Sequence, residues 1–453
     1  MKLSLTKQLL IDIGQKPIGK HDFIRVGEHV LDWLACASLG ANSPAADAYK
    51  SLFSLDSGGV CSVVGASVAG HTVSIQNALQ YNGALGNVLE MDDLHRASIL
   101  HPGPVIIPAA LAVAEQTGSS TTAFLTAILK GYEVTIRLGE AIGRSHYQYF
   151  HNTATCGAIG AAVAAASLLT LSQQQTLWAM GNAVSTAGGL WQMRNEKVQT
   201  KQWHNAEACR AGVMAAWLAK NGLSGPEYIL EGPQGMFNAL SDDASASTFI
   251  NPSPDWRIHA CSLKPWPACR HAHGSIDVLV EILKQYQLDV AQIERIEVGV
   301  YRDAQLFCDR VTPHTSLEAK FSIQHALSAI LMWGEPALSH YEEAAYNNSD
   351  CAELRHRIDV KVDEQIEALY PQHYGATCTL FLTDGSTITR SHQDTLGDPQ
   401  RPLNSAQRQN KVYMLLSQSG MDDTMIANLC QFDWLQSAPI SDFSALLRYS
   451  TSL

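Results

Sequence analysis

Residues 157–171 read GAIGAAVAAASLLTL, and this stretch decides the fold class. It carries no charge and no proline, and alanine has the highest helix propensity of any residue. Side chains this small let a helix axis pass close to its neighbours. The run Ala158–Leu171 falls short of the roughly 18–20 apolar residues that a membrane-spanning helix needs, so a buried core helix is expected. Working outward, Thr121–Gly143 places Phe124, Ile128, Tyr132 and Ile136 at four-residue spacing, one face of a long amphipathic helix. Ala206–Leu223 reads as a further helix, with Asn221-Gly222 as its C-terminal cap. This helical texture extends from about residue 22 to 245.

Near 250–268 the texture changes, punctuated by Pro252, Pro254, Pro265 and Pro267. Strand-like segments follow for the first time: Ile293–Tyr301, Arg357–Val362, and a hairpin of Thr377–Leu382 and Ser386–Arg390 turning at Asp384-Gly385. Helices over Ser275–Gln287 and Ala319–Trp333 accompany them, and the last 45 residues return to helical texture. The fold class expected is mainly α. A large all-helical domain spans 1–262 and 405–453, and a smaller α+β domain spans 263–404.

The chain has 453 residues, with 31 Lys or Arg against 43 Asp or Glu, a net charge of −12. Charged residues are 16% of the chain, against roughly 25% in an average soluble protein. With 46% apolar residues there is enough surface to bury that disorder is excluded. A net negative chain also lacks the electrostatic footprint of a nucleic-acid binder, so any positive site must be a local pocket. The ten cysteines are scattered with no C-x-x-C, which points to buried thiols in a reducing compartment. The opening MKLSLTKQLLIDIGQKPIGK has no long apolar region and no small-residue cleavage site, so a cytoplasmic location is expected. There is no G-x-x-x-x-G-K-[ST], no G-x-S-x-G and no H-E-x-x-H, and GASVAG at residues 65–70 has the wrong spacing for a dinucleotide loop.

Four polar clusters interrupt this apolar, helix-forming sequence. LEMDDLHRASILHPGP, residues 89–104, holds Glu90, Asp92, Asp93, His95, Arg96 and His101. His101 comes just before a helix start, where the free amides favour a bound anion and disfavour an imidazolium. The same aspartates could equally cap helices. His151, in YFHNTATCGAIG, stands at the entrance of the Ala/Gly helix, and Lys201 lies in VQTKQWHNAEACRAG with His204 three residues on. LKPWPACRHAH, residues 263–273, combines Lys264, Cys269, Arg270, His271 and His273 at the expected domain junction, a common place for ligand clefts. No spacing here matches a recognised zinc pattern. The accompanying Arg96, Lys201, Lys264 and Arg270 would repel a cation, so no metal is expected in these clusters. Together they describe an anion pocket with neutral histidine bases, suited to proton abstraction alpha to a carboxylate.

At these residues the chain resembles a known family. GNVLEMDDLHRASILHPGPVIIPAALAVAE (86–115) is similar to the signature of the MmgE/PrpD family, which includes 2-methylcitrate dehydratases, cis-aconitate decarboxylases and iminodisuccinate epimerases. The resemblance continues through 150–172, 200–232, 262–280 and 318–334, and more weakly through 382–391. It implies a large helical domain built from both ends of the chain plus an α+β lid. It also implies a homodimer, a small carboxylate substrate and no cofactor. His101, His151 and Lys201 match active-site positions of the decarboxylase branch; Glu90 falls where that branch has an Asp, and Lys264 matches its Lys. Leu94 stands where the decarboxylase has a Thr and Cys269 where it has a catalytic His, and the His-Pro-Gly loop is one residue further from the paired aspartates. The expectation is a dehydratase of a 2-methylcitrate-like hydroxy acid. His101 or His151 would be the base, Asp92 its support and Lys201 a catalytic cation. Glu90, Asp93, Arg96, His204, Lys264, Cys269, Arg270 and His273 would line the substrate site. Epimerisation, decarboxylation and a silent binding dimer are the other readings.

Overall fold

Serine side chains start several of the helices: the hydroxyls of Ser74, Ser120 and Ser172 each accept the amide three residues on, a donor the helix itself cannot satisfy. The computed structural model describes residues 3–56, 58–65, 70–196 and 198–448. Residues 66–69 of the GASVAG stretch and the first two residues of the chain lie outside them. The chain is mainly helical and divides into two compact units, Met1–Cys261 with Arg408–Leu453, and Ser262–Gln407.

In the first unit the helices that matter for the site are α1 (Lys20–Gly40), α2 (Ile75–Leu85), α3 (Gly103–Thr117), α4 (Thr121–Ala141), α5 (Asn152–Leu168) and α6 (Thr200–Lys220). The Ala/Gly helix α5 is buried along almost its whole length and packs on α3, α4 and α6. Glycine makes this possible. A Cβ on Gly160 would stand 2.6 Å from the Gly131 carbonyl oxygen of α4, and one on Gly212 of α6 would stand 2.4 Å from the Ala158 carbonyl oxygen of α5. Helix α5 begins five residues before the expected Gly157, because His151, in extended backbone, serves as its N-cap. It ends at Leu168, before Thr170 turns to φ 53°. A two-residue antiparallel ladder of Cys61–Ser62 with Thr72–Val73 departs from the all-helical expectation. The C-terminal residues belong to this unit too. The Thr121 amide donates to the Ala438 carbonyl and the Ile440 amide to the Ser119 carbonyl, and Phe443 stacks on Phe124 of α4.

The second unit carries a four-stranded sheet in the order β2-β1-β3-β4, with β1 Ile293–Val300, β2 Ile358–Val362, β3 Ala376–Leu382 and β4 Thr387–His392. β1 pairs parallel with β2 and antiparallel with β3, aligning Val298 with Val360 and Cys378. The β3–β4 hairpin turns at Gly385, whose φ of 86° suits a residue without Cβ. Ala376, Cys378, Leu380 and Leu382 alternate inward along β3 and meet Ile276, Leu279 and Ile282 of α7 (Arg270–Tyr286) and Leu327 of α8 (Ile323–Trp333) in one core. All ten cysteines are free thiols; nine are buried and Cys430 is partly exposed. Among the described residues no helix is long and apolar enough to cross a membrane.

Candidate active site

The acidic loop between α2 and α3 folds back on itself, with Glu90 at φ 58° and Ile99 at φ 47°. A β-branched residue in left-handed backbone is costly, of order 1–3 kcal/mol, and such strain gathers at functional loops. Asn87 Nδ2 donates to Asp92 Oδ1 at 2.6 Å. The other oxygen of Asp92 lies 2.8 Å from His101 Nδ1, which also reaches the Asp93 carbonyl at 3.0 Å. With Nδ1 held by these acceptors, Nε2 is the nitrogen of His101 left for proton transfer. The His101 amide donates to Thr153 Oγ1 in the first turn of α5, so His101 is fastened to the helix that His151 caps.

Asp93 faces inward. Its Oδ1 accepts the Gly103 amide at 3.0 Å, the first orphan donor of α3, and its Oδ2 accepts from Tyr132 Oη at 2.9 Å and lies 2.7 Å from His29 Nδ1. Burial, and then Arg25, hold His29 well below the usual histidine range, so its contact with Asp93 is a hydrogen bond and not an ion pair. Expected from sequence to contact substrate, Asp93 instead gives both oxygens to protein donors, as a buried carboxylate must. Gly103 is required here, since a Cβ would stand 2.5 Å from Asp93 Oδ1.

Burial, then the Asp92 charge, push the Asp93 carboxyl up to about 6, against the pull of Tyr132 and the Gly103 amide. The folded protein therefore holds this proton more tightly than the unfolded chain, whose Asp titrates near about 3.9. The associated stability is present below about pH 4 and is lost as pH rises to about 6, a difference of about 3 kcal/mol. Asp93→Asn, which has no proton to lose, should gain on the parent protein across that window. Urea unfolding at both ends of it checks this; a stability difference that does not change with pH would contradict it.

Beneath the loop, Lys411 Nζ lies 2.5 Å from Asp32 Oδ1 of α1 and donates to the Met91 carbonyl at 2.6 Å, with both side chains buried. Lys411→Met would leave Asp32 buried without its counter-charge, at a cost of about 3–5 kcal/mol. Chemical denaturation of Lys411→Met and of Lys411→Met with Asp32→Asn should show the second change recovering part of the loss.

His151 is buried, its ring 4.6 Å from that of Trp191, and its Nδ1 is 3.3 Å from His204 Nδ1. One ring must carry its proton on Nδ1 and the other a lone pair. Burial first, then Lys201, hold both histidines below their usual range, and for His151 the shift is large. His151 is therefore neutral, and its buried Nε2 has no hydrogen-bond partner among the described residues, a group that needs a ligand or water to satisfy it. Lys201 sits inside the first turn of α6, which begins at Thr200, and not ahead of the helix as the sequence suggested. Its Nζ is 2.5 Å from Glu90 Oε1. A cavity of about 570 Å³ opens beside His204, lined by Ala154, Gly189, Leu190, Trp203 and Ala208; His101 is not among its lining residues.

The remaining candidates serve internal contacts. His95 is buried, bonded through Nδ1 to Ser98 Oγ, and burial with Arg257 and Arg96 pushes it down to about 3. Arg96 is itself buried. In the second unit Arg270 pairs with Asp398, donates to the Leu396 carbonyl and meets His273 Nδ1 at 3.1 Å, while His273 Nε2 bonds the Ala268 carbonyl. Arg270, expected to hold a carboxylate, thus neutralises an aspartate of its own unit, because a buried guanidinium needs a partner. Cys269 is the N-cap of α7 and Lys264 is buried. His271 packs among Tyr301, Phe307 and Tyr374. Sequence reading missed His29, Tyr132 and Lys411 as supports of the loop; each lies on a helix far along the chain from the aspartates.

The MmgE/PrpD N-terminal domain model matches residues 22–248, and the MmgE/PrpD C-terminal domain model matches residues 266–430. The chain belongs to the MmgE/PrpD family. The chain is 26% identical over 395 residues to a cis-aconitate decarboxylase-like protein, oryM, of Aspergillus oryzae, covering 81% of each. It is also 26% identical to the cis-aconitate decarboxylase of Homo sapiens, over 73% of this chain and 70% of that protein. The cis-aconitate decarboxylase of Mus musculus shares 26% identity over 81% of this chain and 76% of its own. This MmgE/PrpD chain thus aligns with enzymes along most of its length, the loop of Asp92 and His101 lying inside the matched N-terminal domain.

Proposed function

We propose that this chain is a lyase of small di- or tricarboxylates that works by moving a proton at the carbon alpha to a carboxylate. The observation that carries this reading is the neutral, buried His151 with an unsatisfied Nε2 close enough to Lys201 to feel its charge. A carboxylate that displaces Glu90 from Lys201 would bring its alpha carbon to a site with two imidazoles, one of them braced by Asp92. In dehydration of a 2-methylcitrate-like hydroxy acid, one histidine takes the alpha proton and the C–H electrons pass into a new C=C bond. The hydroxyl leaves as water, taking its proton from the second histidine in its imidazolium form, which returns to neutral imidazole. Lys201 offsets the charge that develops on the carboxylate oxygens. A second reading, decarboxylation of cis-aconitate, draws support from the names of the curated relatives. There the C–C electrons left by departing carbon dioxide are captured by a proton from a histidine.

Proton NMR of the purified protein with 2-methylcitrate, citrate and cis-aconitate separates the two. New vinylic signals without carbon loss select dehydration, and carbon dioxide release selects decarboxylation. Solvent exchange at the alpha carbon with no alkene would instead select epimerisation. Silence with every substrate would reject the lyase reading. The homodimer belongs to the same proposal and is checked by light scattering.

A further inference from the structure

Three side chains of the first unit that play no part in the site above converge at the start of α1. Asp22 is buried, and its Oδ2 accepts the Gly19 amide at 2.7 Å, which fixes the carboxylate. Its other oxygen, Oδ1, lies 2.8 Å from His259 Nε2 and 3.2 Å from His21 Nε2. The two imidazole rings stack with centroids 5.4 Å apart, 27° from parallel, and the three ligand atoms all lie within 4.8 Å of one another. Residues 21 and 259 are 238 positions apart, so the fold and not local sequence brings these nitrogens to one oxygen.

The geometry points to a binding site for a first-row divalent metal ion of the zinc class, held by His21 Nε2, His259 Nε2 and Asp22 Oδ1. Two imidazoles and one carboxylate are the donor set such ions take, with the fourth position left to water. Zinc–ligand bonds of about 2.0–2.1 Å place tetrahedral neighbours roughly 3.3–3.4 Å apart. The His21 distance to Oδ1 is already within about 0.2 Å of that spacing, and the His259 distance must open by about half an ångström. His21, 73% exposed at its side chain, can swing to its own place in such a set. His259 comes from the 3₁₀ turn Arg257–Ala260, which is held by the Arg257 amide bonding Glu133 at 2.7 Å. Trp256 Nε1, donating to the Pro17 carbonyl at 2.9 Å, fixes the same segment. On the same helix, Arg25 is engaged by Glu28 and by the Cys261 carbonyl. Such an ion would tie the first turn of α1 to the segment around residue 259.

Cobalt(II), whose tetrahedral complexes absorb visible light strongly, tests this on the full chain after removal of metal by chelation. The expected result is one equivalent of intensely coloured cobalt, displaced by zinc, with a melting temperature that rises with free zinc. His21→Ala, a change at an exposed side chain that leaves the fold intact, should weaken zinc binding at least tenfold and abolish the melting shift. His259→Gln should do the same. No binding by the parent protein would overturn the assignment. So would binding of undiminished affinity in both variants, which would place the ion elsewhere, for instance at His101 or His151.

Discussion

Replacing His101 with glutamine is expected to lower kcat by about 10²–10⁴-fold on whichever carboxylate proves to be turned over, with a smaller change in KM. That range is what a positioned acid or base contributes, equivalent to about 3–5 kcal/mol of barrier. The argument rests on how the ring is held. Asp92 and the Asp93 carbonyl share Nδ1, and Thr153 holds the backbone. Glutamine keeps much of the volume but has no titratable nitrogen, so a loss in kcat with an unchanged melting temperature marks lost proton transfer and not lost structure. His151→Gln should be similarly slow for a different reason, and solvent deuterium exchange tells the two apart. The variant lacking the base stops exchanging the alpha proton, whereas the variant lacking only the acid continues to exchange it. If both variants keep near-parental kcat, neither histidine carries the chemistry and the proposed mechanism is wrong.

The largest structural effect is expected at Gly160. A Cβ there would stand 1.8 Å from Thr135 Oγ1, 2.6 Å from the Gly131 carbonyl oxygen and 2.9 Å from Ile106 Cδ1. The threonine could rotate, but the carbonyl belongs to the backbone of α4 and the isoleucine to α3, so relief requires moving helices apart. Overpacking a core commonly costs about 1–3 kcal/mol and sometimes more. Gly160→Val, with two further methyl groups in the same place, should abolish soluble folded protein, and Gly160→Ala should lower the urea midpoint clearly. Gly14→Ala is the matched control. That glycine lies near the end of the helix Leu5–Gln15, with no atom of the described residues within 4 Å of a new Cβ. It should gain about 0.5–1 kcal/mol from helix propensity alone. Equal effects at the two positions would mean that close packing of α4 and α5 is not what Gly160 provides.

Helix α4 and the β3–β4 hairpin were legible from sequence because their signals are local: four-residue spacing of Phe124, Ile128, Tyr132 and Ile136, and Asp384-Gly385 between two alternating runs. Boundaries were less so. His151 read as a residue ahead of the Ala/Gly helix, but it is the cap of a helix that starts at Asn152, because polar Asn152, Thr153 and Thr155 are carried into the buried turn. The acidic loop stood out as polar sequence among apolar helices. What each aspartate does there was not legible, since that depends on partners far along the chain. Tyr132 is 39 positions from Asp93 and His29 is 64. Arg270 likewise reads as a cation awaiting a ligand until Asp398, 128 positions on, is brought beside it.

The bond between Lys411 and Met91 also sets a clock on biosynthesis. The loop that carries Asp92 and His101 waits for a side chain made 320 residues later. At about 5–20 residues per second, that is roughly 16–64 s for the loop, and Asp32, made 379 residues before Lys411, is without its counter-charge for roughly 19–76 s. A ribosome stalled before codon 411 should therefore display a first unit that is collapsed but protease-sensitive around residues 89–101. Release of the finished polypeptide should be followed by abrupt protection of that same segment.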